Sequence, residues 1–209
     1  MTLILMIITL VVTASALNRP ELQAKLMFNP YLVKNSGQWY RFVTHGFVHG
    51  GWLHFGVNMY VLWMFGETVE SALIYEHGEL AGTILFLALY IGGVLFSSLP
   101  SYGRHGDDIH YNSVGASGAV AAIVFSTIYF MPTTGIGIIF LPFFIPAFIF
   151  GPLYLLYEYQ MDKRSNDNVA HDAHFWGSLF GFGFSILTVP SQFGSFLGQI
   201  MNYVLNILG

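Results

Sequence analysis

The sequence predicts an all-α polytopic membrane protein, a bundle of six spanning helices with a membrane-associated first loop and a C-terminal amphipathic helix. Three observations carry that prediction. Of 209 residues only 9% are charged, while 55% are hydrophobic and 17% aromatic; a soluble domain carries about 25% charged residues. Apolar runs of about 17 to 25 residues recur, the length a bilayer core demands. Between those runs the polar residues gather in short clusters. The chain has no cysteine, which excludes disulfides, a thiolate nucleophile and thiolate metal ligands. No basic, aromatic-interleaved stretch suggests nucleic acid. The net charge of -4 says little, because placement matters more than the sum.

The first run, Met1 to Leu17, ends in Thr13-Ala14-Ser15-Ala16, which imitates a signal cleavage site. No Lys or Arg precedes it, as a signal's n-region requires, so it reads as a first span. Asn18 to Val48 alternates aromatics (Phe28, Tyr31, Trp39, Tyr40, Phe42) with cations (Arg19, Lys25, Lys34, Arg41), the pattern of interfacial segments. Helix two is expected at about 51–65 and helix three at about 80–99, joined by an acidic connection holding Glu67, Glu70, Glu76 and Glu79. A polar loop is expected over 100–114.

Helix four should start near Ser117 and stop at Met131-Pro132, followed by a tight turn at Thr133 to Gly135. Helix five, about 136–157, contains Pro142, Pro146 and Pro152 and should be irregular, since each proline removes a donor. Glu158 to Asp172 reads as the most charged loop and helix six as about 173–189. Beyond Pro190, apolar residues recur at three- and four-residue steps from Phe193 to Leu208, an interfacial amphipathic pattern. Residues 1–190 thus read as one membrane domain and 191–209 as an interfacial segment.

In six alternating spans, helices two, four and six begin on one side of the membrane, and there the unusual residues fall. Helix two opens with His45, His49, His54 and Asn58, helix four with Ser117, and helix six with His171, Asp172 and His174. Polar groups at membrane depth are costly and usually face a cavity. His54 and Asn58, four apart, share a helix face. His49 would point about 140° away from His54, so it reads, with His45 and His110, as a structural hydrogen bonder. His174, Gly177 and Gly181 line one face, which lets helix six pack closely on helix four at Gly118. Gly115 permits a tight approach before the serine. Ser117 and His174 would then form a nucleophile and base, with His54 and Asn58 donating to an oxyanion. His171 competes with His174 as base; the glycine stripe favours His174. Asp172 lies on another face, which argues against an aspartate triad.

These residues resemble the rhomboid intramembrane serine proteases. Trp39-Tyr40-Arg41 followed by His45 resembles the first-loop Trp-Arg region; His49, His54 and Asn58 fit H-x4-H-x3-N; Gly115 to Gly118 is G-x-S-G; and Ala173-His174, Gly177 and Gly181 are A-H-x2-G-x3-G. The resemblance implies a rhomboid-like bundle and a dyad without an acidic third member, Ser117 attacking and His174 acting as base. It also implies an oxyanion hole from His54, Asn58 and the Ser117 N–H, supported by His49, Gly115, Gly118 and Arg41. Single-span or other transmembrane proteins in a lipid bilayer are the expected substrates, with access between helices two and five and no cofactor, metal or nucleic acid. The family's aromatic one turn after the serine is Ala121 here, so some other group, from helix two or five, must orient His174.

Two other functions stand beside the protease. One is an inactive rhomboid-like module that binds membrane proteins; the other is a metal transporter or metalloprotein using the eight histidines. Against the last, the chain has no H-E-x-x-H. A bacterial inner (plasma) membrane is the expected location, with the active site opening to the non-cytoplasmic side. The positive-inside rule conflicts with that orientation, because all seven Lys and Arg lie in the first, third and fifth loops.

Overall fold

In the computed structural model, residues 1–137, 144–164 and 169–208 are described. Among them the chain forms α1 (Thr2–Leu17), α2 (Pro20–Leu26), α3 (Pro30–Ser36), α4 (Arg41–Thr44), α5 (Trp52–His77) and α6 (Glu79–His105). There follow α7 (Ser117–Phe130), β1 (Gly135–Gly137), β2 (Phe144–Pro146), α8 (Ala147–Arg164), α9 (His171–Thr188) and α10 (Gln192–Leu208). One described helix, α6, is long and apolar enough to cross a bilayer by length and composition; α1 and α7 are apolar but shorter.

The first loop folds into short helices. Pro20 and Pro30 open α2 and α3, where a missing N–H costs nothing, and the Asn29 side chain caps α3 by accepting from Leu32 N at 2.8 Å. Gly37, at φ 65°, stops α3 in the left-handed conformation. Arg41, only 4% exposed, fastens the loop by donating to the carbonyls of Ala24 (2.9 Å) and Met27 (2.6 Å) and to the Gln38 side chain (2.7 Å).

Several boundaries differ from the sequence expectation, among them that of α8, which runs on through Glu158 to Arg164. The acidic connection is no loop, because α5 continues through it to His77. Glu70 is held there by Thr2, whose backbone N–H (2.9 Å) and hydroxyl (2.8 Å) donate to its carboxylate and so tie the start of α1 to α5. Helix α6 likewise runs through Pro100 to His105, where a polar loop was expected. The preceding Ser97 and Ser98 lie within α6 and direct their hydroxyls to the Val94 carbonyl, so their polarity marks no helix end. The start of the expected helix five is instead an antiparallel hairpin, Ile136 opposite Ile145, and α8 begins only after Pro146. The fold is therefore helical with one small hairpin. Pro142 lies outside the described residues, and Pro152 is carried inside α8.

Helix α7 is the centre of the bundle. Every residue in it is buried except Ser117, its first, and Val124. Around it stand α5, α6, α8 and α9. Its closest neighbour is α9: a Cβ on Gly177 would lie 2.2 Å from the Gly118 carbonyl oxygen, and one on Gly181 2.0 Å from that of Ala122. Both pairs step forward together by four residues, so the two helices run parallel and begin at the same end. Further along, Ser126 donates to Gly181 O (3.1 Å) and Tyr129 to Val189 O (2.8 Å), which fix the same register. Helix α10 has no buried residue.

Candidate active site

The parallel register of α7 and α9 places His174, one turn before Gly177, beside the start of α7 and therefore near Ser117. Both side chains line a cavity of about 950 Å³, together with His54 and Asn58 from α5 and Phe150 and Tyr154 from α8. The four residues expected to carry the chemistry thus meet at one place. Among the described residues no hydrogen bond joins Ser117 to His174; such contacts are often long in enzymes without substrate. Ser117 stands at the N-terminus of α7, where N–H groups lack helical partners and the positive end of the dipole faces the cavity.

The approach to Ser117 is fixed from two sides. Gly115 has φ 123°, and a Cβ there would fall 2.7 Å from His54 Cε1, so a glycine is required on both counts. Its N–H donates to His45 O at 3.0 Å. The Ala116 N–H points at His49 Nε2 (3.4 Å), while His49 Nδ1 meets Thr13 Oγ1 at 3.0 Å. His49 is fully buried, and burial first, then the neighbouring His54, pushes its pKa down to about 3. A neutral ring is what an acceptor for Ala116 N–H must be. His49 is thus a support for the loop before the serine, and Arg41 a support for the first loop at a distance from the cavity.

Two other expected residues do more than the sequence suggested. Gly118 does face α9, but its own missing Cβ also admits α6, since one would lie 2.2 Å from Ser97 Oγ. The Asn58 side chain, 5% exposed, donates to the His54 backbone carbonyl at 2.9 Å. That bond uses one of its two amide hydrogens and leaves the other for a ligand. His110 also lines the cavity. Asp172 turns away, accepting from Ser101 Oγ (2.6 Å) and Arg104 Nη2 (2.9 Å), so it ties α6 to α9 and takes no part in a triad.

Glu158 is the residue the sequence reading missed. It was assigned to a charged loop, yet it lies in α8 with 3% exposure. One carboxylate oxygen meets His174 Nδ1 at 3.1 Å and the other His171 Nδ1 at 2.5 Å. The resemblance implies a dyad without an acidic third member; here a carboxylate contacts the histidine of that pair. The available signal was Tyr154 and Glu158 four residues apart, a polar pair on one face of an apolar segment. The same three groups, with donor atoms within 4.8 Å of one another, could also accept a metal ion.

A helical bundle whose central helix opens with a serine facing two histidines and an asparagine defines the class of membrane protein to which the motifs pointed. A family profile described as a rhomboid domain matches residues 36–191, and the chain belongs to the rhomboid family. It is 35% identical over 106 residues to presenilin-associated rhomboid-like protein A, mitochondrial, of Danio rerio, covering 48% of this chain and 24% of that protein. Against the Homo sapiens presenilin-associated rhomboid-like protein, mitochondrial, identity is 32% over 145 residues, covering 65% of this chain and 34% of the relative. Against rhomboid-like protein 11, chloroplastic, of Arabidopsis thaliana it is 37% over 92 residues, covering 43% and 29%. The chain spans about a quarter to a third of the length of these relatives.

These names overturn the expected bacterial inner membrane, with its non-cytoplasmic active site, because the relatives are mitochondrial and chloroplastic and indicate organellar membranes. The physical reason for the error is plain. A bilayer core of similar thickness selects the same apolar helices in every such membrane, so composition carries no address.

Proposed function

We propose that this chain is an intramembrane serine endopeptidase that cleaves transmembrane segments of other membrane proteins, with α1, α5, α6, α7, α8 and α9 as its six spans and residues 191–209 as an interfacial segment. The observation that carries the reading is the parallel packing of α9 on α7 through Gly177 and Gly181, which brings His174 to the serine end of α7. In this reading Ser117 Oγ attacks the scissile carbonyl carbon while His174 Nε2 takes its proton. The oxyanion is met by the Ser117 N–H, the Asn58 amide and the His54 ring. Collapse breaks the C–N bond, and His174 returns the proton to the leaving amine. Water then attacks the acyl-serine, giving its proton to His174; the C–Oγ bond breaks, His174 passes that proton to Ser117 Oγ, and the acid is released.

A second reading, a rhomboid-like binding module without catalysis, draws on two observations: the missing Ser117–His174 hydrogen bond among the described residues and the engagement of Asn58 with His54 O. A fluorophosphonate probe separates the two. The protease reading expects labelling at Ser117 that disappears in His174→Ala. Absence of labelling in folded protein favours the binding module.

A further inference from the structure

We propose that Glu158 is the positioning residue of this site, holding His174 in the Nδ1–H tautomer so that Nε2 can take the serine proton; the inference rests on the protease reading above. An ionised carboxylate can only accept hydrogen bonds, so both histidines must donate to it through Nδ1. For His174 that leaves the lone pair on Nε2, the nitrogen a general base needs. With one histidine on each oxygen, at 3.1 and 2.5 Å, the carboxylate is held at both ends, and His171 acts as its anchor.

Charge points the same way. Glu158 is buried, and Arg104, from α6, is committed to Asp162 and Asp172. A buried carboxylate is costly unless it is hydrogen-bonded and paired. When His174 accepts the Ser117 proton it becomes a cation facing that carboxylate, so the attraction between them is stronger in the transition state than in the resting enzyme. An interaction stronger in the transition state accelerates the chemical step. The polar groups facing His174 are otherwise His54 across the cavity from α5, Tyr154 from α8, Ser117 from α7 and His171 on its own helix. Glu158 is the only carboxylate among them in the described residues. Ala121, which lines the cavity and is too small to stack on the ring, leaves the orientation to this bond.

The test uses the purified full chain in detergent, with cleavage kinetics on a single-span substrate and nitrogen-15 histidine spectra as a second readout. Glu158→Gln presents an amide that can donate to Nδ1 and so favours the wrong tautomer. It should lower kcat by up to about 10⁴, the loss seen on replacing the carboxylate in serine triads, with little change in KM. The His174 signal should move from Nδ1–H to Nε2–H. Glu158→Asp should recover part of both. Wild-type kcat and tautomer in Glu158→Gln would overturn the proposal, as would a lowered melting temperature with kcat per folded molecule and tautomer unchanged. Loss of wild-type activity on chelation, restored by zinc, would also overturn it in favour of a metal site. If the wild type cleaves nothing, the protease reading fails, and the spectra of wild type and Glu158→Gln still decide the role of Glu158.

Discussion

Gly177 stands against the Gly118 backbone so closely that a methyl group on it would lie 2.2 Å from the carbonyl oxygen. The separation of α7 and α9, and with it the reach of His174 toward Ser117, is set by that contact. Backbone cannot move aside as a flexible side chain can. Gly177→Ala and Gly181→Ala should therefore each destabilise the protein by about 1–3 kcal/mol or more. Each should also reduce serine-dependent cleavage in the fraction that folds. Normal melting and normal kcat in either variant would show that the two helices are not held in this register.

A similar argument applies at Gly115, where φ 123° and the His54 ring both exclude a side chain. Gly115→Ala should lower kcat more than it lowers thermal stability, since the displaced ring is a proposed oxyanion donor. Thermal melting and kinetics on the same preparation give the comparison; equal kcat would remove His54 from the site.

Asn58→Ala separates two roles that the structure allows together. One amide hydrogen serves the His54 carbonyl, and the other is available to the oxyanion. Loss of an oxyanion donor typically costs about 10² to 10³ in kcat, with KM little changed. A fall in melting temperature with kcat per folded molecule spared would assign Asn58 to structure alone.

His45 supplies a pH dependence of stability. Burial lowers its pKa from 6.5 to about 4, and its Nδ1 has no partner among the described residues. Between those values the unfolded chain binds a proton that the folded chain refuses. The His45 contribution is therefore complete above pH 6.5, and stability falls as pH drops from 6.5 toward 4, by about 3 kcal/mol in total. Melting temperature measured across that window should drop in the wild type and drop less in His45→Gln. Identical profiles would show that the ring is not buried neutral.

Much of the proposed site was legible because the central residues of each motif lie on one helix. The four-residue step from His54 to Asn58 and the Gly177–Gly181 stripe after His174 need only helical periodicity to be read. For Glu158 the i, i+4 pair with Tyr154 was legible but its partners were not, since they are two histidines from a different helix. Boundaries failed where polarity was taken for solvent. Glu70 faces the start of α1, and Asp172 is buried against Arg104. The hairpin of 135–137 with 144–146 replaced a helix start because Gly135 and Gly137 allow Phe144 to lie against them, with Cβ positions 3.0 Å from its side chain.

The central claim is that Ser117 and His174 act as one catalytic unit. It is tested most directly by turnover of a single-span transmembrane substrate in proteoliposomes by wild type, Ser117→Ala, His174→Ala and the double variant. Residues acting together are grossly non-additive, so each single variant should lose nearly as much as the double. Cleavage surviving in folded Ser117→Ala, or single losses that multiply in the double variant, would contradict the account.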